Sequence, residues 1–80
     1  FNPVTTINYD LPTDAHVKFV IYDILGREVI ELVNEKVPAG YQTITWNTRN
    51  HFGQTVSAGI YFYQIQTVGF IKTRKMVLLK

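Results

Sequence analysis

Apolar residues recur at every second position in several short stretches of this chain, the period of a strand with one buried and one wet face. Between Thr5 and Leu11, Ile7, Tyr9 and Leu11 fall on one side and Thr6, Asn8 and Asp10 on the other. Pro12, which has no N–H to give a ladder, ends the run. A second strand is expected from about Ala15 to Tyr22, with Val17, Phe19 and Ile21 inward. Asp23-Ile24-Leu25-Gly26 then has the chemistry of a type I turn: Asp first, to accept from nearby backbone, and Gly fourth, to take a positive φ. Arg27 to Val33 reads as a third strand, although apolar residues at 29, 30, 32 and 33 fit a helical turn equally well.

Val37-Pro38-Ala39-Gly40 forms the next turn, and Gln42, Ile44 and Trp46 alternate inward along a fourth strand. Trp46 is the natural centre of the core, because no other side chain here can bury as much apolar area. Asn47 to Gln54 is a polar loop, followed by a short Thr55-Val56-Ser57 strand and a break at Ala58-Gly59. From Ile60 to Thr67 both faces carry apolar residues, Tyr61, Tyr63 and Ile65 on one and Ile60 and Phe62 on the other, which predicts a central strand. Val68-Gly69 turns the chain into a last strand, Phe70 to Leu79, whose parity is inconsistent: Phe70, Met76 and Leu78 share a side with Lys72, Arg74 and Lys80. A bulge between Thr73 and Lys75 would reconcile it, since one extra residue flips every side chain beyond it. About seven short strands with regular turn signals predict an all-β, antiparallel, two-layer sandwich.

At 80 residues the chain has room for one small domain, residues 1–80. With no Cys there is no disulfide to staple it, so the core must hold the fold; 46% hydrophobic residues and eleven aromatics supply one. The stretch Met76-Val77-Leu78-Leu79 is too short to span a bilayer, and no transmembrane segment is expected. The abrupt start at Phe1-Asn2-Pro3 reads as a module excised from a longer protein. All six acids lie in the first 35 residues, and six of the eight bases (Lys36, Arg49, Lys72, Arg74, Lys75, Lys80) lie after them. Two readings follow: early acidic strands pair with late basic ones across a ladder, or a basic final strand meets an anionic partner.

Residues for catalysis are scarce. His16 and His51 are isolated, and Ser57 lacks the surroundings of a nucleophile elbow. Asp10 and Asp14 flank a turn where Ca²⁺ is conceivable, but hard-cation loops carry several closely spaced oxygen ligands. No metal or other cofactor is expected, and no enzyme. The rings and cations of the last hairpin (Tyr61, Phe62, Tyr63, Phe70, Lys72, Arg74, Lys75) are read as core and surface rather than as a nucleic-acid platform.

Tyr22-Asp23-Ile24-Leu25-Gly26-Arg27-Glu28-Val29, Pro38-Ala39-Gly40, Trp46, Ser57-Ala58-Gly59-Ile60-Tyr61-Phe62-Tyr63 and Thr73 to Lys80 together resemble the type A C-terminal sorting domain of the type IX secretion system. That domain is itself similar to the immunoglobulin-like domain of flagellar hook-capping proteins. The resemblance implies an immunoglobulin-like sandwich and a non-catalytic signal that carries a cargo, joined ahead of Phe1, across the outer membrane of a Gram-negative bacterium. It implies the system's outer-membrane translocon and sortase-like peptidase as partners and a final location outside the cell or on its surface by way of the periplasm; separately, the module is expected to be a monomer. The family's structural positions match Gly26, Arg27, Gly40, Trp46, Gly59, Tyr61 and Tyr63, and its recognition strand matches Lys72, Arg74, Lys75, Met76, Leu78 and Lys80. Asn47 and Asn50 stand where relatives often carry Asp.

Two other functions predict different surfaces. A structural or carbohydrate-binding module of a secreted hydrolase would expose coplanar rings, with Tyr22, Tyr41 and Phe52 as candidates. A hook-cap-like assembly domain would self-associate.

Overall fold

The computed structural model describes residues 4–79. Six strands follow one another: β1 (Thr5–Leu11), β2 (Ala15–Asp23), β3 (Glu28–Val37), β4 (Gly40–Trp46), β5 (Gly59–Gln66) and β6 (Ile71–Leu78). They form two antiparallel sheets, a pair β1-β4 and a larger sheet in the order β3-β2-β5-β6. Alternation decides which side chains lie between the layers. Ile7 and Leu11 of β1 and Ile44 and Trp46 of β4 meet Val17, Phe19 and Ile21 of β2, Tyr61 and Ile65 of β5 and Leu78 of β6 in one buried cluster. Phe19 stacks on Tyr63 (centroids 5.3 Å, planes 10° apart), and Trp46 meets Tyr61 edge-on at 5.5 Å. Both are the offset or edge arrangements that ring quadrupoles favour.

The chain reverses between β2 and β3 as its residues dictate. The Gly26 N–H donates to the Asp23 carbonyl at 3.0 Å, and Gly26 takes φ +80°, open to glycine and strained for a residue with a Cβ. Asp23 Oδ1 accepts from the backbone N–H of Leu25 and of Arg27, both at 2.9 Å, and its Oδ2 from Arg27 Nε at 2.9 Å. The β3–β4 connection passes from one sheet to the other, and Asp14 ties it down by accepting from the Ala39 N–H at 2.7 Å. At the start of β5, the Tyr61 hydroxyl donates to the Ser57 carbonyl at 2.7 Å, the bond of a tyrosine corner in immunoglobulin-like sandwiches.

Four sequence expectations are corrected. The described residues form six strands, not seven: Thr55-Val56-Ser57 makes a single bridge, Arg49 to Thr55, within the β4–β5 loop. β3 is a strand, longer than expected. Its helix-like doublets arise from two bulges: Val33 faces Phe19, but Glu31 faces Val20 and Glu28 faces Tyr22, so Leu32 and Val29 are extra residues. Each resets the parity, and Val29, Ile30, Leu32 and Val33 all join or pack on the core. β6 has no bulge: its register against β5 runs unbroken from Gln66↔Ile71 to Gly59↔Leu78. Finally, the acidic and basic halves do not pair across a ladder. β6 lies beside β5, which carries no charge, while Glu28, Glu31 and Glu35 sit on β3 at the opposite edge of the same sheet.

Candidate interaction surface

β6 closes one edge of the larger sheet. Its inward side chains are Lys72, Arg74, Met76 and Leu78, opposite Ile65, Tyr63, Tyr61 and Gly59. Along that face the cover runs out toward the hairpin: Leu78 is 5% exposed, Met76 packs half-buried on the core, and Arg74 and Lys72 are exposed. The overlying sheet is only two strands wide and leaves a gap between β1 and this stretch of β6. That is the physical reason for the parity conflict. The cations keep the inward register but stand in solvent, with their stems available to lie along apolar surface. Lys75 points out on the other face with the exposed Ile71 and Val77.

Of the six expected recognition residues, Lys72, Arg74 and Lys75 therefore present charge at the surface, while Met76 and Leu78 serve the core. Lys80 lies outside the described residues. Among the described residues, Lys72, Arg74 and Lys75 have no acidic partner; the ion pair present there joins Arg27 Nε to Asp23 Oδ2 at 2.9 Å. Beside β6, a groove of about 310 Å³ is lined by Tyr9 and Asp10 of β1 and by Tyr63, Phe70, Lys72 and Arg74. Pattern reading missed the contribution of β1. Its signal was already in the sequence, in the cations set at inward parity, but a bulge in β6 accounted for them.

The structural positions hold the frame. Gly26, Gly40 and Gly59 all take positive φ (+80°, +113° and +147°). Trp46 is fully buried, with its indole N–H donated to the Arg49 carbonyl at 2.9 Å. Tyr61 is buried, and Tyr63 is half-buried against Phe19. Burial, and secondarily the charge of Glu35, push the Tyr9 phenol above its ordinary pKa. Hydrogen bonding from the Arg27 backbone N–H, helped by the other turn donors and the guanidinium, holds Asp23 below the ordinary carboxylate value.

The loop residues have structural occupations. Asn50 Oδ1 accepts from the N–H of Phe52 and of Gln54, both at 3.0 Å, and Asn47 Oδ1 from that of Arg49 at 3.2 Å. Thr48 is fully buried and takes φ +61° inside this loop. His16 bonds to Asn34, and His51 packs against the Phe52 ring at 3.9 Å. Among the described residues no three His, Cys, Asp or Glu side chains converge as metal ligands would. The candidate carbohydrate platform does not form: Tyr22 belongs to the larger sheet, Tyr41 to the smaller one and Phe52 to the β4–β5 loop.

The FlgD Ig-like domain family model matches residues 3–69, more than half of the chain, ending at the β5–β6 hairpin. Among solved structures, the crystal structure of FLGD from P. aeruginosa aligns with a TM-score of 0.76 at 22% identity. The alignment covers 95% of this chain and 60% of that one, so the chain spans about 60% of the length of this relative. No curated protein matches.

These findings overturn the expected type IX sorting signal. The matched family is that of FlgD, not of sorting domains. The translocon and sortase-like peptidase fall with it as partners, as does delivery of a cargo to the medium or the cell surface. The hydrolase-module alternative gains nothing from the match either. What holds is the immunoglobulin-like sandwich: this chain belongs to the FlgD Ig-like domain family.

Proposed function

We propose that this chain is a non-catalytic sandwich module of a longer protein, and that it makes contacts between protein subunits in an exported assembly of the hook-capping kind. The family is a structural one, which supports a module that binds rather than reacts. The observation that carries the reading is β6: an edge strand whose Lys72, Arg74 and Lys75 stand in solvent without acidic partners among the described residues. Exposed cations on a sheet edge steer an anionic protein surface toward it and set its orientation.

The test is made in the parent protein. Lys72, Arg74 and Lys75 are each replaced by Glu, and assembly size is followed by light scattering alongside electron microscopy of hooks in the host. Smaller assemblies and missing or shortened hooks are expected, with the sandwich intact by circular dichroism. Assemblies and hooks indistinguishable from those of the unaltered protein would overturn the reading.

A further inference from the structure

The smaller sheet is incomplete on the side that faces β6. Among the described residues β1 pairs with β4 alone, so the other edge of β1 presents free backbone N–H and C=O groups from Thr5 to Leu11. Groups of this kind are a template for another strand. The groove described above lies along that edge. Asn8, Tyr9 and Asp10 form its β1 wall, Tyr63 and Ile65 its floor, and Phe70, Lys72 and Arg74 its far side. Its volume of about 310 Å³ sits over the strip of the larger sheet that the small sheet does not cover.

We infer that this groove accepts an extended polypeptide segment from a partner protein as a third strand of the small sheet, paired to β1 and laid over β6. The reading rests on the proposed role in protein contacts and assigns the partner's chemistry. A strand beside β1 sends alternate side chains down between the sheets and up into solvent. Lys72 lies opposite Ile65 and Arg74 opposite Tyr63, so each downward position meets an apolar floor residue and a cation at the same level. The two cations have no acidic partners among the described residues, so these downward positions call for Glu, its methylenes over the floor and its carboxylate at the cation. Asp10 alternates with Tyr9 and lies on the exposed face of β1, so it disfavours acids at the upward positions, where an apolar or neutral residue fits. Backbone bonds to β1 supply affinity and the side-chain match supplies selectivity, as in other strand additions.

The probe is an end-blocked octapeptide of alternating Val and Glu, titrated into the full chain and followed by amide chemical shifts and hydrogen exchange. Saturable shifts at Thr6 to Asp10, Tyr63, Lys72 and Arg74 are expected, with slowed exchange on the free edge of β1. The alternating Val and Lys peptide is expected to bind at least tenfold more weakly, and alternate N-methylation of the acidic peptide to abolish the slowed exchange. The pair Lys72→Glu and Arg74→Glu is expected to reverse the preference between the two peptides. Absence of saturable shifts, equal response to both peptides, or shifts confined to the outer edge of β6 would each overturn the inference. The last two results would leave Lys72 and Arg74 as inward charges that guard an edge from pairing. Assembly of the parent is read separately, so contacts through β6 can stand while strand addition at β1 fails.

Discussion

Trp46 is wholly enclosed between the sheets, against Tyr61 and with its indole N–H satisfied by the Arg49 carbonyl, so it couples core burial to the geometry of the β4–β5 loop. Truncation removes the side chain and leaves a cavity that rigid strands cannot close. Trp46→Ala is expected to cost about 3–5 kcal/mol, measured by urea denaturation, and a loss under 1 kcal/mol would contradict this packing. Tyr61 tests a different force at the same site. Its ring packs in the core while its hydroxyl ties the backbone of Ser57, so Tyr61→Phe keeps the burial and removes one bond. A net hydrogen bond contributes about 0.5–1.5 kcal/mol, and that is the expected destabilisation, accompanied by faster amide exchange at residues 55–58.

The β2–β3 turn shows how an element is held by one titrating side chain. Asp23 organises it through three hydrogen bonds, and its folded pKa lies below the ordinary 3.8 because the ionised form accepts them. For a lowered pKa the stabilisation is complete above the unfolded value and disappears as pH falls through the folded one. Asp23→Asn keeps an oxygen for the backbone donors but cannot ionise, so its melting temperature is expected below that of the unaltered chain at pH 7, with the gap closing below pH 4 as the native carboxyl protonates. A gap that persists or widens in acid would contradict the sign. This turn was legible in the sequence because its Asp and Gly each have one local job. The strands β1, β2 and β4 were legible because a period of two survives along each of them, and β5 because a short run apolar on both faces marks a central strand. β3 was not, because bulges at Val29 and Leu32 write a helix-like rhythm into a strand, and a bulge is a property of the pair rather than of the segment. In β6 the opposite error arose: the inward cations Lys72 and Arg74 reflect missing cover from another sheet, which no local pattern records.

At the scale of the molecule the two sheets cannot be separate units. A two-stranded antiparallel ladder is marginal in water by itself, so β1-β4 owes its stability to Ile7, Leu11, Ile44 and Trp46 lying on the larger sheet. The connections reinforce this, because the chain passes from the small sheet to the large one after β1, returns after β3 and crosses again after β4. Neither layer completes its core while the other is absent. Total stability on the order of 4–12 kcal/mol follows from the usual contribution per residue at this length, and it should be lost in one step. The expected result is that Trp46 fluorescence, which reports contact between the sheets, and far-ultraviolet circular dichroism, which reports the strands, give coincident urea midpoints. Folding should take milliseconds to seconds, because β1 finds β4 only after the β2–β3 hairpin between them has been spanned. A fluorescence midpoint well below that of the circular dichroism would mean that the small sheet lifts off first. The larger sheet would then be the cooperative unit, and the free edge of β1 would belong to a part of the molecule that opens before the rest unfolds.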